Sequence, residues 1–367
     1  MTKFDDSIFK ADKSQYATPS IFLGEAAGLF DTIHKPFPKL WAHYKTLKSL
    51  DWDENEIDYS GCLTDFQNCS EDIYDAMIKT LAWQWEADSV AANSLMGILA
   101  PFITSSEALA SWSKIAENEV LHSATYSEIV RSSFKDPDST LQEILEVQEA
   151  LSRLTCIAKV CNDASKAGAE YTLGLVENDQ TLYNRVYLFI VAVFVLERIQ
   201  FMSSFAVTFS ICDTGLFIPF GKAVQKIAQD ELEVHVQMGK DVLRYEAQTD
   251  RGKEAARTLG SEVQALISEV VNAELEWVDF LFSGGRSLVG LNADVLKQWV
   301  LFNARDVYNH LGLESPYDMP AKNPLKFMEH WLNMNKIQTA PQETEITAYK
   351  VGVLRRDDED MDFETDF

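Results

Sequence analysis

The sequence predicts an all-α protein, a bundle of long helices, and three observations lead to that prediction. Long stretches place apolar residues at helical spacing with no turn signal inside them. Only 16 glycines and 10 prolines occur in 367 residues, which favours long helices over strands joined by turns. Helix-start residues precede several stretches, as where Ser70 stands before Glu71 and Asp72. Together these features predict helices connected by short loops.

The expected helices can be placed along the chain by these starts and by the turn residues that end them. The apolar run 186–196 could form a strand by composition, but the surrounding stretch is too long for one and has no turn signal, so a helix is expected. This run is also well short of the roughly 20 residues that a membrane span needs. One short helix is predicted near 37–49, seven long ones at about 70–99, 106–134, 138–167, 179–210, 219–247, 252–283 and 292–311, and a short one near 324–333.

Charge and cysteine content limit the partners and the compartment. The net charge of −25 argues against nucleic acids and anionic membranes as partners, since both attract basic surfaces. The five cysteines form no C-x-x-C pair and follow no apolar signal segment, which predicts a cytoplasmic protein. We expect a single domain over residues 1–335. Residues 336–367 end in an acidic stretch and are expected to form a flexible tail.

Two acidic clusters on predicted helices each end in a histidine, Glu119 to His122 and Glu231 to His235. Residues three or four apart face the same way on a helix, so each pair can bind one cation. Asp88 and Glu197 lie in apolar stretches, where a charge is costly unless it is paired or bound to a metal. A surface pair, or a buried arginine beside Glu197, would explain any one of these alone. Contributions from four apolar helices instead predict a binuclear metal site in a ferritin-like bundle.

Tyr126 lies four residues after His122 and so shares its helix face. It could be an ordinary core tyrosine, or a phenol that oxidised metal converts to a radical. A radical needs a dry pocket. Phe201 and Phe205 follow Glu197 at helical spacing, and Ile227 precedes the second cluster, so these three could line that pocket or simply belong to the core.

From about residue 20 onward the sequence resembles the small, radical-generating subunit of class I ribonucleotide reductase, of the bacterial and phage type. The order and spacing of Trp52, Asp88, Glu119, Glu197 and Glu231 agree with that family. The segments that carry the resemblance are 118–126 (NEVLHSATY), 227–231 (IAQDE), 290–296 (GLNADVL) and 340–346 (APQETEI).

The resemblance implies a di-iron-oxo centre that activates dioxygen, with a manganese–iron pair as the alternative. Glu119 and Glu231 would bridge the two ions, and Tyr126 would become the stable radical. The implied ligands are Asp88, Glu119 and His122 for one ion and Glu197, Glu231 and His235 for the other.

The resemblance also implies partners. Trp52, His122 and Asp230 would begin an electron-transfer chain that continues through Tyr349 to a large catalytic subunit, where ribonucleotides are reduced to deoxyribonucleotides. The acidic C-terminal tail would dock on that subunit, and the small subunit would form a homodimer.

The second cluster departs from the family pattern D-E-x-x-H by one extra residue before His235. Two acids, Glu231 and Glu233, therefore compete for the role of ligand. We favour Glu231, because Ile227 and Asp230 keep their family spacing to Glu197. A helical i,i+4 pair can still face inward, and a single π turn could absorb the insertion.

Three other functions fit part of the pattern. A di-iron carboxylate oxygenase or oxidase would use the same ligands on an organic substrate, but would need neither Tyr126 nor a docking tail. Iron storage in a cage would require a shorter chain. A structural bundle with buried ion pairs would bind no metal.

Overall fold

The computed structural model describes residues 19–25 and 29–333. Within these residues the regular structure is helical, and strand-like pairing takes the form of isolated bridges, such as Phe22 with Ile103 and Leu288 with Leu291. The predicted all-α class is therefore confirmed. The α-helices are α1 Pro38–Ser49, α2 Ser60–Asn68, α3 Glu71–Leu99, α4 Ser106–Ser133, α5 Pro137–Leu145, α6 Gln148–Arg153, α7 Thr155–Thr172, α8 Gln180–Val195, α9 Phe201–Cys212, α10 Ile218–Asp230, α11 Val236–Glu246, α12 Asp250–Leu281, α13 Ala293–Leu311 and α14 Lys326–Trp331.

Side-chain caps fix where the long helices begin. Ser70 accepts a hydrogen bond from the backbone N–H of Ile73 at the start of α3, as its position in the sequence predicts. Ser105 does the same for α4 and Asp179 for α8, each through the N–H three residues later. Each cap satisfies one of the N–H groups that a helix start leaves without an intrahelical partner.

The single helix predicted near 138–167 is wrong, because α5, α6 and α7 occupy that stretch. Asp136, two residues before the predicted start of that helix, accepts from the N–H of Ser139, and Pro137 takes the first helical position. The chain then breaks at Val147 and at Leu154. Between the breaks Arg153 is buried, so its guanidinium can reach an acid on α12. Helix α2 is an element that the sequence pattern did not indicate.

The core is built around the long apolar helix formed by α8, a short π segment and α9. The span Gln180–Cys212 is long and apolar enough to cross a membrane by composition, but 89% of its most apolar window is buried inside the protein. A helix that is apolar on all sides is satisfied when other helices surround it. Helices α7 and α12 pack on α8, α3 packs on α9, and α3 and α4 lie along each other. This span is therefore a core helix.

Two π segments, Leu196–Gln200 and Glu231–His235, interrupt long helices at the level of the predicted metal ligands. In each segment a backbone N–H donates to the carbonyl five residues earlier, from Phe201 to Leu196 and from Val236 to Glu231. A π turn inserts one residue without ending the helix. The second π segment coincides with the extra residue before His235, where the sequence allowed either a regular helix or a π turn. The first π segment, at Glu197, was not predicted.

Candidate metal centre

Four helical rods bring the six predicted ligand side chains together in the interior. Asp88 comes from α3, the Glu119–His122 pair from α4, Glu197 from the first π segment, and Glu231 with His235 from the second. Their ligand atoms form two groups, each within 4.8 Å, and Glu119 and Glu231 belong to both. The two groups are Asp88, Glu119, His122 and Glu231, and Glu119, Glu197, Glu231 and His235.

The cluster is almost completely shielded from solvent, since none of the six residues is more than 3% exposed. Burying even one ionised carboxylate without compensation costs far more free energy than an ordinary fold can supply. Four carboxylates and two neutral imidazoles carry four negative charges, which two divalent cations would balance. Oxygen and imidazole donors suit hard or borderline ions such as iron and manganese.

The atoms that face the centre of the cluster have no hydrogen-bond partners outside it. Both carboxylate oxygens of Asp88, Glu119 and Glu231 are buried with no polar neighbour beyond the cluster, as are one oxygen of Glu197 and the Nδ1 atoms of both histidines. Buried polar atoms in native proteins nearly always have a partner. The donor set of this cluster therefore fits a pair of metal ions.

The distances inside the cluster are short enough for shared ligands. Nδ1 of His235 lies 2.7 Å from Oε2 of Glu231 and 3.2 Å from Oε1 of Glu119. Nδ1 of His122 lies 3.2 Å from Oε1 of Glu231, 3.7 Å from Glu119 and 3.9 Å from Asp88. Glu119 and Glu231 thus each lie close to both imidazoles, which is the position that a bridging ligand requires.

The insertion before His235 leaves Glu231 facing inward. Glu231 is fully buried, whereas Glu233, two residues later, is exposed. Because Glu231 and His235 stand at the two ends of the π segment, both reach the cluster in spite of the extra residue. This geometry supports Glu231 rather than Glu233 as the ligand.

Without metal, the buried ionisable groups of the cluster shift one another's pKa values. Burial, together with the neighbouring carboxylates, raises the pKa of Asp88 and of Glu197 well above the ordinary range. Burial disfavours the charged form of His235, but the carboxylates of Glu231 and Glu119 outweigh it and raise its pKa to about 10. The metal-free cluster therefore holds protons that a cation must displace.

A hydrogen-bonded outer layer fixes both imidazole rings. Nε2 of His122 lies 3.2 Å from Oδ2 of Asp230, and the indole N–H of Trp52 donates to the same oxygen at 2.9 Å. The side-chain amide of Asn118 also donates to that oxygen, at 3.0 Å, while its carbonyl lies 2.9 Å from Nε2 of His235. With each Nε2 engaged outward, each Nδ1 faces the cluster.

The family resemblance implied roles for Trp52, His122 and Asp230 but none for Asn118. The available signal was that Asn118 precedes His122 by four residues and therefore shares its helix face. Asn118 is the residue through which Asp230, and with it Trp52, is connected to His235. The indole of Trp52 is also stacked against His122, with ring centroids 6.3 Å apart.

Tyr126 is fully buried, and its hydroxyl has no hydrogen-bond partner. Burial, and then the charge of nearby Asp88, raises the pKa of Tyr126 well above its usual value, so the phenol is protonated at neutral pH. Phe201, Phe205 and Ile227 are also fully buried. Their role as walls of a radical pocket stays a prediction. Tyr349 and the tail 336–367 lie outside the described residues.

Comparison with known proteins decides the family. The sequence pattern described as "Ribonucleotide reductase, small chain" matches residues 30–324. The chain belongs to this family. A Salmonella typhimurium protein named ribonucleoside-diphosphate reductase 1 subunit beta is 29% identical over 321 residues, which cover 83% of this chain and 84% of that protein. The family predicted from the sequence motifs is thus confirmed, and with it the enzyme class, a small subunit of ribonucleotide reductase.

Solved structures have the same fold. The ribonucleotide reductase R2 subunit from Clostridium botulinum aligns with a TM-score of 0.73 at 19% identity, over 86% of this chain and 94% of the other. A dimanganese(II) protein from Streptococcus sanguinis aligns with a TM-score of 0.66 at 15% identity, over 82% and 98% of the two chains. These likenesses confirm the ferritin-like helical fold. Membership of the family implies a large-subunit partner and a two-metal centre of unspecified metal.

Proposed function

We propose that this small subunit binds two redox-active metal ions in the buried cluster and uses them to oxidise Tyr126 to a radical. The observation that carries the proposal is the set of buried, unpaired ligand atoms converging from four helices beside a buried tyrosine. The proposed ligands are those that the sequence predicts, with Glu119 and Glu231 shared. When bound, such a metal pair would pass on the oxidising equivalents of dioxygen, which these side chains cannot supply themselves.

The protein's own residues prepare Tyr126 for one-electron oxidation. Forming a neutral radical removes one electron and one proton from the phenol. Among the neighbouring carboxylates, Asp88 has the largest effect on the titration of the hydroxyl, and it is the proposed acceptor of that proton. Full burial keeps water and reductants away from the radical once it has formed.

The row Trp52–Asp230–His122 is the proposed inner part of the path by which the radical leaves the cluster. Asp230 accepts from the indole of Trp52 and lies within hydrogen-bond distance of His122, so an electron and a proton can move along one set of contacts. Trp52 is only partly buried, so the path can continue beyond the core. Tyr349 is the proposed next carrier, and the acidic tail 336–367 the proposed dock for the large subunit.

Further proposals concern the metals, the assembly and the compartment. Two iron ions are the favoured pair, and a manganese–iron pair uses the same oxygen and nitrogen donors. The assembly is proposed to be a homodimer that binds the large subunit. All five cysteines are free thiols, which fits a cytoplasmic protein.

An oxygenase or oxidase acting on an organic substrate is the competing function. Such a protein needs a substrate-sized pocket at the metals, and organic ligand pockets usually measure about 300 Å³ or more. The cavity that reaches Glu197 and His235 measures only about 50 Å³. The cavity therefore favours radical generation over oxidation of an organic substrate.

Electron paramagnetic resonance after addition of Fe²⁺ and dioxygen tests the proposal. The parent protein should give a tyrosyl radical signal, and Tyr126→Phe should give none. Tyr59→Phe is the matched control, because Tyr59 is also buried and its hydroxyl is also unpaired. A signal that survives in Tyr126→Phe, or that disappears in Tyr59→Phe alone, would contradict the assignment.

A further inference from the structure

A cavity of about 50 Å³ lies between α3, α7 and α8 and extends inward to the metal cluster. Its walls are mostly small or apolar side chains, including Ala91, Ala158 and Val193. Its inner end contains Glu119, Glu197 and His235. A passage with so few polar groups offers water few hydrogen-bond partners, and apolar cavities of this kind stay dry and take up apolar guests such as xenon.

The residues that line the cavity range from exposed to fully buried. Val90 at the outer end is 49% exposed, and Ala91 and Ala158 are partly buried. Farther in, Val193 is 9% exposed and Glu197 only 3%. The cavity therefore begins at the protein surface, near the contact of α3 with α7, and ends at carboxylates of the cluster.

The cavity reaches only one side of the cluster. Its lining includes Glu119, Glu197 and His235, which form one of the two ligand groups together with Glu231. Asp88, His122 and Tyr126 are not part of its lining and are fully buried. A molecule that enters from the surface by this cavity would therefore first reach the side of the cluster formed by Glu197 and His235.

We propose that this cavity conducts a small apolar molecule, dioxygen, from the surface to the Glu197–His235 side of the metal pair. The inference rests on the proposed function, because that function requires dioxygen at the metals. The volume admits a diatomic molecule and excludes organic substrates. The apolar walls favour a nonpolar gas over water and ions, which keeps charged reductants away from the cluster while dioxygen enters.

Xenon is the probe for the passage, because it reports on the cavity without metal or turnover. Crystals of the metal-free protein pressurised with xenon should show bound xenon between Ala91, Ala158 and Val193. Ala158→Leu narrows the passage from α7 and should remove the xenon. Ser94→Leu narrows it from α3 and serves as a second variant should the first fail to fold. Ala169→Leu, at an exposed position of α7, is the size-matched control.

The same variants then test the route of dioxygen. After loading with Fe²⁺, dioxygen consumption in the narrowed variants should slow by about tenfold, equivalent to about 1.4 kcal/mol of added barrier. The control should keep the parent rate. Absence of xenon from the parent cavity, or parent-like consumption in a narrowed variant that has lost its xenon, would overturn the inference. Failure of the parent to bind two Fe²⁺ would instead overturn the proposed function, and metal analysis detects it separately.

Discussion

Asn118 is the residue whose substitution tests most sharply how the cluster is held. Its amide donates to Asp230 at 3.0 Å, and its carbonyl lies 2.9 Å from Nε2 of His235. Asn118→Leu keeps a similar volume but removes both contacts. In the parent, the carbonyl of Asn118 holds the proton of His235 on Nε2, so that Nδ1 is free to bind a metal. The variant lacks this acceptor.

The expected magnitude follows from these two contacts. Loss of an outer-layer partner of a metal-bound histidine usually lowers metal affinity by about 10–100-fold. That range corresponds to about 1.4–2.8 kcal/mol, similar to the cost of leaving one buried polar group unpaired. We therefore expect the ion next to His235 to bind at least about tenfold more weakly in the variant, and the ion next to Asp88 to be affected less.

Competition titration with Mn²⁺ or Fe²⁺, followed by metal analysis, measures both affinities. Asn303→Leu is the matched control. Asn303 is fully buried on α13, where it donates to the carbonyl of Trp299 and accepts from Arg198, neither of which is a proposed ligand. The control should lose stability but keep metal affinity. Equal metal affinity in Asn118→Leu and the parent, or equal losses of affinity in both variants, would show that Asn118 does not position His235.

Three further predictions concern other parts of the molecule. Arg153→Met leaves Glu274 buried without its ion-pair partner and should lower the free energy of unfolding by about 3–5 kcal/mol in urea titration, whereas loss of Arg257, the exposed partner of Glu254, should leave the free energy of unfolding close to the parent value. Metal binding should release protons, and metal affinity should rise from about pH 6 to pH 8, because the raised pKa of His235 keeps that ring protonated in the metal-free protein. Titration calorimetry in buffers of different ionisation enthalpy measures the protons released, and a result of none would contradict this prediction. Removal of residues 357–367 should abolish reductase activity with the large subunit but leave the radical signal of Tyr126 intact, and surviving activity would rule out the docking role.

Local sequence signals predicted the long helices well because their starts and stops are local chemistry. Ser70 and Asp179 cap helices where the sequence places them, and Gly312 ends α13 in the left-handed conformation. The division of 138–167 into three helices could not be seen in the same way. The break before α7 accompanies the burial of Arg153, which depends on Glu274 more than a hundred residues away.

The candidate site was predictable where residue type and spacing carry the chemistry. Each histidine follows its acid within one turn, so the two clusters were visible in the sequence, and Asp88 and Glu197 stood out as charges in apolar helices. Asn118 was missed because a neutral amide gives no comparable signal. Its partners, Asp230 and His235, come from another helix, so its role depends on tertiary packing.

The buried environment of Arg153 was also invisible in the sequence. Its guanidinium lies 3.9 Å from the ring centroids of both Trp83 and Trp277, and it forms an ion pair with Glu274. The two helices that supply these partners, α3 and α12, are far apart in the chain. The sequence suggested a buried arginine only as a possible partner for Glu197. The arginine beside it in the chain, Arg198, instead forms an ion pair with Asp306.

A crystal structure of the metal-loaded protein with anomalous scattering tests the proposed two-metal centre most directly. Two peaks per chain are expected. One should lie among Asp88, Glu119, His122 and Glu231, and the other among Glu119, Glu197, Glu231 and His235. A single peak, ions bound outside the cluster, or an ion held by Glu233 in place of Glu231 would contradict it.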